Sequence, residues 1–217
     1  TGDRAELESV ARLKTFDKND YIFRAASPGN NVYILTKGRV KIFQLSPTGR
    51  KIILWFCFPG EMFGMAETSG NWPREVYAQA CTDTEVLSIY EKQFKTFLAT
   101  HPDSSLLTID VLACRLRVLG EMLLNVSTDN VTTRLVKLIT RLSALYGKRQ
   151  DQNHDLYLDI PLTHQEIADM IGTSRQTVTT ELGHLQKQGL VRMESKCLHI
   201  TVTYTQLRPN KTVLKLK

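Results

Sequence analysis

The chain of 217 residues predicts an α+β protein. It should hold an antiparallel β-roll, then one long helix, then a small head of short helices closed by two strands. Three observations predict this. Between residues 16 and 90, short apolar stretches alternate with turn residues roughly every ten positions, the mark of a sandwich or barrel. From 104 to 126 the apolar spacing changes to heptads. From 129 onward cap residues, a tight glycine turn and a basic balance take over.

The strands are read at Tyr21–Phe23, Val32–Leu35, Val40–Phe43, Lys51–Phe58, Val76–Ala78 and Glu85–Ile89. Glycines fall between them at 29, 38, 49, 60, 64 and 70, and Pro47-Thr48-Gly49 reads as a hairpin tip. The longest apolar run, Ile52 to Phe58, has the length of a buried strand.

Residues Ser104 to Val126 contain no proline and a single glycine, Gly120. Ile109, Leu112, Leu116, Leu119, Leu123 and Val126 are spaced 3, 4, 3, 4, 3, which makes a coiled-coil seam for a parallel homodimer. Leu106, Leu107, Val118 and Met122 widen the apolar face, so packing on the chain's own sheet is a second use for the helix. The polar stretch Asn125 to Asn130 breaks the helix, with Asn130 or Asp129 capping another from Val131 to about Leu145. A loop from Tyr146 to Asp155 and a strand at Leu156–Ile160 follow. The expected division is 1–103 (β-roll sensor), 104–128 (dimerisation helix) and 129–217 (DNA-binding head).

Residues 163–188 carry the sharpest signal. Thr163-His164-Gln165-Glu166 is a capping box that opens a short helix. Gly172-Thr173 turns the chain, and Ser174 caps a second helix running to about Gln188. This is a helix-turn-helix. On a wheel of about 100° per residue, Val178, Leu182 and Leu185 form the buried face. Gln176, Thr180 and Lys187 lie opposite, flanked by Arg175 and Thr179, with no acid among them. Arg forks onto guanine, Gln pairs with adenine, and Thr takes a thymine methyl or a phosphate. The helix N-terminus adds a potential that attracts phosphate. Charge agrees: residues 1–128 hold 15 Lys and Arg against 14 Asp and Glu, a net of +1, and residues 129–217 hold 13 against 8, a net of +5. Leu190–Met193, Glu194–Lys196 and Cys197–Val202 form a strand-turn-strand, a wing behind the two helices.

A β-roll, a long dimer helix and a winged helix in this order resemble the cAMP receptor protein/fumarate-nitrate regulator (Crp–Fnr) family of bacterial transcription factors. The resemblance covers essentially the whole chain. It is carried by Val32 to Lys41, by Pro59-Gly60-Glu61-Met62-Phe63-Gly64, and by Leu162 to Ala168 with Thr173 to Val178. It implies a cytoplasmic homodimer that binds a two-fold symmetric operator in double-stranded DNA and meets RNA polymerase. Arg175, Gln176 and Thr180 fall where relatives contact bases, and Thr163 and Gln165 where they contact phosphates. Ser174, Thr179 and Lys187 complete the expected DNA surface. The loop Gly147 to Asp151 lies where the family's activating loop lies.

The resemblance also has departures. Its cAMP-binding members follow Phe-Gly with a Glu for the ribose and use an Arg-Ser pair for the cyclic phosphate. Here Met65 follows Gly64, Glu75 follows Arg74, and Leu119-Gly120 replaces the polar pair that meets adenine. A cAMP-responsive activator is therefore the secondary reading. The effector site is expected around Gly64, Met65, Ala66, Arg74 and Glu75, closed by Leu119 and Leu123, with Glu75 neutralising Arg74. Such a site favours a largely apolar or planar ligand such as haem, or a pocket filled by its own side chains. The cofactor itself is unknown. No cysteine precedes Cys57 to hold an iron–sulfur cluster.

Other function classes fit poorly. Nucleophile motif, phosphate loop and metal cluster are all missing, which argues against an enzyme. Cys57, Cys81, Cys114 and Cys197 are scattered, without zinc spacing, as in a reducing cytoplasm. No apolar run is long enough for a membrane helix. A start at Thr1 instead of Met points to a missing N-terminal segment. A winged helix used for protein contacts alone is the rival binding reading.

Overall fold

The computed structural model describes residues 2–70, 72–149, 156–194 and 197–200. They form two compact units, Thr1–Leu119 and Gly120–Lys217.

The first unit runs α1 (Gly2–Val10), β1 (Arg12–Phe16), β2 (Tyr21–Phe23), β3 (Asn31–Lys37), β4 (Val40–Leu45), β5 (Lys51–Cys57) and β6 (Met62–Phe63). A single 3-10 turn, Ala66–Ser69, leads to β7 (Tyr77–Ala80), β8 (Thr84–Tyr90), α2 (Glu91–Thr100) and the start of α3 (Pro102–Thr128). Its strands make two antiparallel four-stranded sheets, β1-β8-β3-β6 and β2-β7-β4-β5. Alternation along β3 explains how both faces of the first sheet are used. Tyr33 and Leu35 point between the sheets, where they pack with Phe23, Val40, Ile42, Cys57, Phe63, Ala78 and Val86. Val32 points the other way and packs with Met65, Ile89 and Phe94, joined by Leu7, Leu98 and Val111 from the helices. Burial pushes the Cys57 thiol up to about 12, which keeps it protonated and inert.

The apolar pattern gives no sign of β1, whose residues are mostly exposed and which holds its place by pairing Arg12–Phe16 with Ser88–Thr84 of β8. It also misses α2, whose burial rests on just Phe94 and Phe97. On α3, Thr108 is buried and Val111 joins the cluster under the sheet. Arg115, one turn further, donates to Glu61 Oε2 at 2.8 Å and lies over the Trp55 ring.

The second unit continues with α4 (Val131–Tyr146), β9 (Gly147–Arg149), β10 (Leu156–Pro161), α5 (His164–Ile171), α6 (Arg175–Lys187), β11 (Arg192–Glu194) and β12 (Cys197–Ile200). Asn130 is the cap of α4, its side chain accepting from Thr133 N at 2.8 Å. Asp129 instead takes Lys137 Nζ at 2.7 Å. The strands form one sheet ordered β11-β12-β10-β9. The expected loop from Tyr146 therefore needs correction. Gly147, Lys148 and Arg149 pair with Leu158, Tyr157 and Leu156 along the edge of β10. Gln150 and Asp151 lie outside the described residues, as do Val202 and the wing's turn at Ser195-Lys196.

Candidate nucleic-acid interface and effector site

The helix-turn-helix is built from local rules. Thr163 Oγ1 accepts from Glu166 N at 3.1 Å while Thr163 N donates to Glu166 Oε2 at 3.0 Å, so the capping box closes in both directions. Gly172, at φ 71°, takes the left-handed conformation that ends α5. Ser174 Oγ then accepts from Thr177 N at 3.1 Å and starts α6. Val178, Leu182 and Leu185 are buried. Burying three such side chains stabilises the head by about 1.5–3 kcal/mol each, and it fixes which face of α6 is left outward. That face carries Arg175, Gln176, Thr179, Thr180 and Lys187, all exposed.

Some of these groups have internal work. Thr179 Oγ1 donates to Arg175 O at 3.0 Å and lies 2.8 Å from His164 Nδ1, a tie between the two helices that the sequence pattern does not signal. Gln165 is exposed and donates from Nε2 to Asp169 Oδ1 at 2.8 Å, which holds the amide at the start of α5. Thr163 and Ser174 are exposed caps. Thr132 Oγ1 of α4 donates to Glu181 Oε2 at 2.6 Å, which takes the one acid of α6 away from the outward face.

Along α3, Ile109, Leu112, Leu116, Leu123 and Val126 are exposed and Leu119 is half-buried. The roll-facing stripe is a different one, Thr108, Val111 and Arg115.

The residues expected at the effector site sit in unlike surroundings. Gly64 and Arg74 are in direct contact: Arg74 Nη1 donates to Gly64 O at 2.9 Å. Gly64 holds φ 76°, and a Cβ there would come within 3.0 Å of the guanidinium. Met65 packs in the cluster with Val32, Ile89 and Phe94, whereas Ala66 and Glu75 are exposed. Leu119 ends the first unit, and Leu123 belongs to the second. The neutralising partner of Arg74 is not Glu75. It is Glu67, from the 3-10 turn, which accepts from Nη1 in a pair whose side chains are 1% and 6% exposed. Glu75 lies in the bend before β7 and is exposed, whereas Arg74 is buried. Nη2 donates to Asn31 O, and the guanidinium lies 4.2 Å from the centre of the Phe23 ring. Burial raises the Tyr33 phenol above its ordinary value, while Arg74 pulls it down. Sequence reasoning missed Glu67 because nothing in its spacing distinguishes it from a solvated acid.

Two family models match the chain: a cyclic nucleotide-binding domain over residues 13–101 and a Crp-like helix-turn-helix domain over 133–206. The CRP-like cAMP-activated global transcriptional regulator of Mycobacterium tuberculosis is 30% identical over 91% of this chain and 87% of that protein. The chain belongs to the Crp–Fnr family. The global nitrogen regulator of Synechocystis is 31% identical over 85% of this chain and 82% of its own length. Among solved structures, the c-di-GMP responsive regulator CLP of Xanthomonas campestris superposes with a TM-score of 0.77 over 93% of this chain and 99% of that one, at 23% identity. A CooA mutant from Carboxydothermus hydrogenoformans gives 0.79 over 92% of this chain and 87% of that one, at 22% identity. These two show the fold. This Crp–Fnr chain is thus a transcription regulator with a sensing β-roll and a DNA-binding helix-turn-helix. No helix among its described residues is long and apolar enough to cross a membrane.

Proposed function

We propose that this regulator works as a homodimer that reads a two-fold symmetric operator through α6. The observation that carries the reading is the outward face of α6: Arg175, Gln176, Thr180 and Lys187 exposed opposite buried Val178, Leu182 and Leu185. Arg175 and Gln176 stand in the first turn, where base edges are met. Thr163, Gln165, Ser174 and the amino ends of α5 and α6 serve phosphates. Thr179 braces Arg175 and offers its methyl. Lys187 supplies charge. The largely exposed apolar stripe Ile109, Leu112, Leu116, Leu119, Leu123 and Val126 of α3 forms the dimer seam, since a stripe of this kind marks an interface, and pairing sets the two heads one half-site apart.

In this reading residues 1–103 sense, 104–128 pair and 129–217 bind DNA, in the cytoplasm. The strand and following residues 147–151 face RNA polymerase. The signal is not cAMP, although the Mycobacterium tuberculosis relative is cAMP-activated: Met65 stands where a ribose-binding Glu is needed, and Arg74 is already paired. The test is selection of duplexes from a random pool by the full chain, followed by fluorescence anisotropy at several salt concentrations. Recovery of a palindromic site bound by a dimer supports the proposal. Salt-independent or undetectable binding returns the head to a protein-contact role.

A further inference from the structure

Arg74 is enclosed on all sides by its own unit. Its backbone is held by the loop before β3, with Arg74 N donating to Ser27 O at 2.9 Å and Ala26 N donating to Arg74 O at 2.7 Å. Its Nη1 hydrogens go to Gly64 O and Glu67 Oε2, and Nη2 gives one to Asn31 O. The Phe23 and Tyr33 rings lie beside the guanidinium, and only Nε is left without a partner. Glu67 reaches this place because Gly29 lies against it: a Cβ on Gly29 would come within 2.5 Å of Glu67 Cβ and 2.7 Å of Trp72 O. The 3-10 turn therefore approaches the loop closely at Gly29, and the Glu67 side chain is buried against Arg74.

A carboxylate buried beside a guanidinium is strongly coupled to it, and removing either partner leaves an uncompensated charge in a low-dielectric interior. Any anion that sought Arg74 would have to expel Glu67 and bury itself in exchange. We propose that Glu67 is a resident ligand of Arg74, an intramolecular carboxylate that fills the anion site of the β-roll. The sensor then takes no phosphate-bearing or carboxylate effector at that arginine. The inference deepens the sensor role given above and rests on it, but its test reads ligand binding and stability in the absence of DNA. It can therefore fail while the DNA reading stands.

The experiment is thermal unfolding of the full chain in chloride, formate, inorganic phosphate and cAMP at matched ionic strength. The wild-type midpoint should move among them no further than that of Arg74→Gln does, since no anion binds the native β-roll at Arg74. Glu67→Ala should melt about 10 °C lower in chloride and recover at least half of that in formate, which replaces the missing carboxylate. Glu67→Gln should be lowered and not rescued, because its amide still fills the space. Glu67→Ala with Arg74→Met should show no formate dependence. If Glu67→Ala does not fold in chloride, refolding it from urea in formate reads the same property: recovery in formate alone supports the proposal, and equal yields in both salts count against it. A wild-type shift with cAMP or phosphate that is lost in Arg74→Gln would overturn the proposal, as would a Glu67→Ala protein of wild-type stability.

Discussion

Arg74 and Arg175, one in each unit, show two opposite uses of one side chain. Arg74 lies 1% exposed in the β-roll, with its charge spent on Glu67, two carbonyls and an aromatic ring. Arg175 stands exposed at the start of α6. Its helix is pinned from behind by Val178, Leu182 and Leu185 and capped by Ser174. The roll turns its cation inward against its own anion, and α6 carries Arg175 and Lys187 exposed on the face opposite Val178, Leu182 and Leu185. An arginine is available to a polyanion only when the fold leaves it unpaired. The difference therefore lies in the neighbours supplied by the short turn Ala66–Ser69 and by the helix cap.

The strongest loss of DNA binding is expected from α3, which lies between the two arginines in the chain. Leu116→Glu with Leu119→Glu places charges in the proposed seam of α3, and sedimentation should find monomers. Loss of the second half-site should weaken operator binding about 10²–10⁴-fold. A dimer of unchanged mass moves the interface elsewhere.

Next comes Arg175→Ala, which should cost about 1–3 kcal/mol on the selected site and much less on random duplex. Gln176→Ala should behave alike at a different base step, and a repeated selection with each variant would locate the step. Arg175→Ala should leave the thermal midpoint unchanged, since its charge is already in solvent. Any change at Arg74 should lower it, and this contrast sharpens the comparison most.

A smaller effect is expected at the caps. Ser174→Ala removes the acceptor for Thr177 N and should destabilise the head by about 1 kcal/mol, visible as earlier amide exchange along α6. Lys187→Ala should weaken specific and random DNA equally and lower the salt slope by about one. Smallest of all, alkylation with iodoacetamide at pH 8 should label Cys114 and spare Cys57. Burial holds the Cys57 thiol near about 12, so its neutral form contributes stability that is present below the ordinary thiol pKa and is lost as pH rises above it.

Much of the head could be read from the sequence because its signals are local. A capping box, a left-handed glycine and a second cap each act within four residues, and the wheel then assigns both faces of α6. The exposed apolar stripe of α3 is legible for the same reason. The β-roll was legible as a class, since turn glycines recur at regular intervals. Its pairing was not, because β1 and β6 are held by partners far along the chain, Ser88 and Tyr33 among them. The partner of Arg74 was misassigned to the adjacent Glu75, where the fold brings in Glu67 over the surface of Gly29. Charge pairing in a sheet protein follows the topology, and neighbours in sequence are poor guides to it. The strand at Gly147–Arg149 is not legible, because a glycine and two basic residues show no alternation and pair only along β10.

If the outward face of α6 reads base sequence, anisotropy titrations of wild type and Arg175→Ala on the selected duplex and on a scrambled one, at matched salt, should separate the two duplexes. The variant should lose about 5-fold to 150-fold on the selected duplex and much less on the scrambled one. Equal losses on both duplexes would contradict this, since Arg175 would then be a phosphate contact and the reading of bases would have to lie elsewhere.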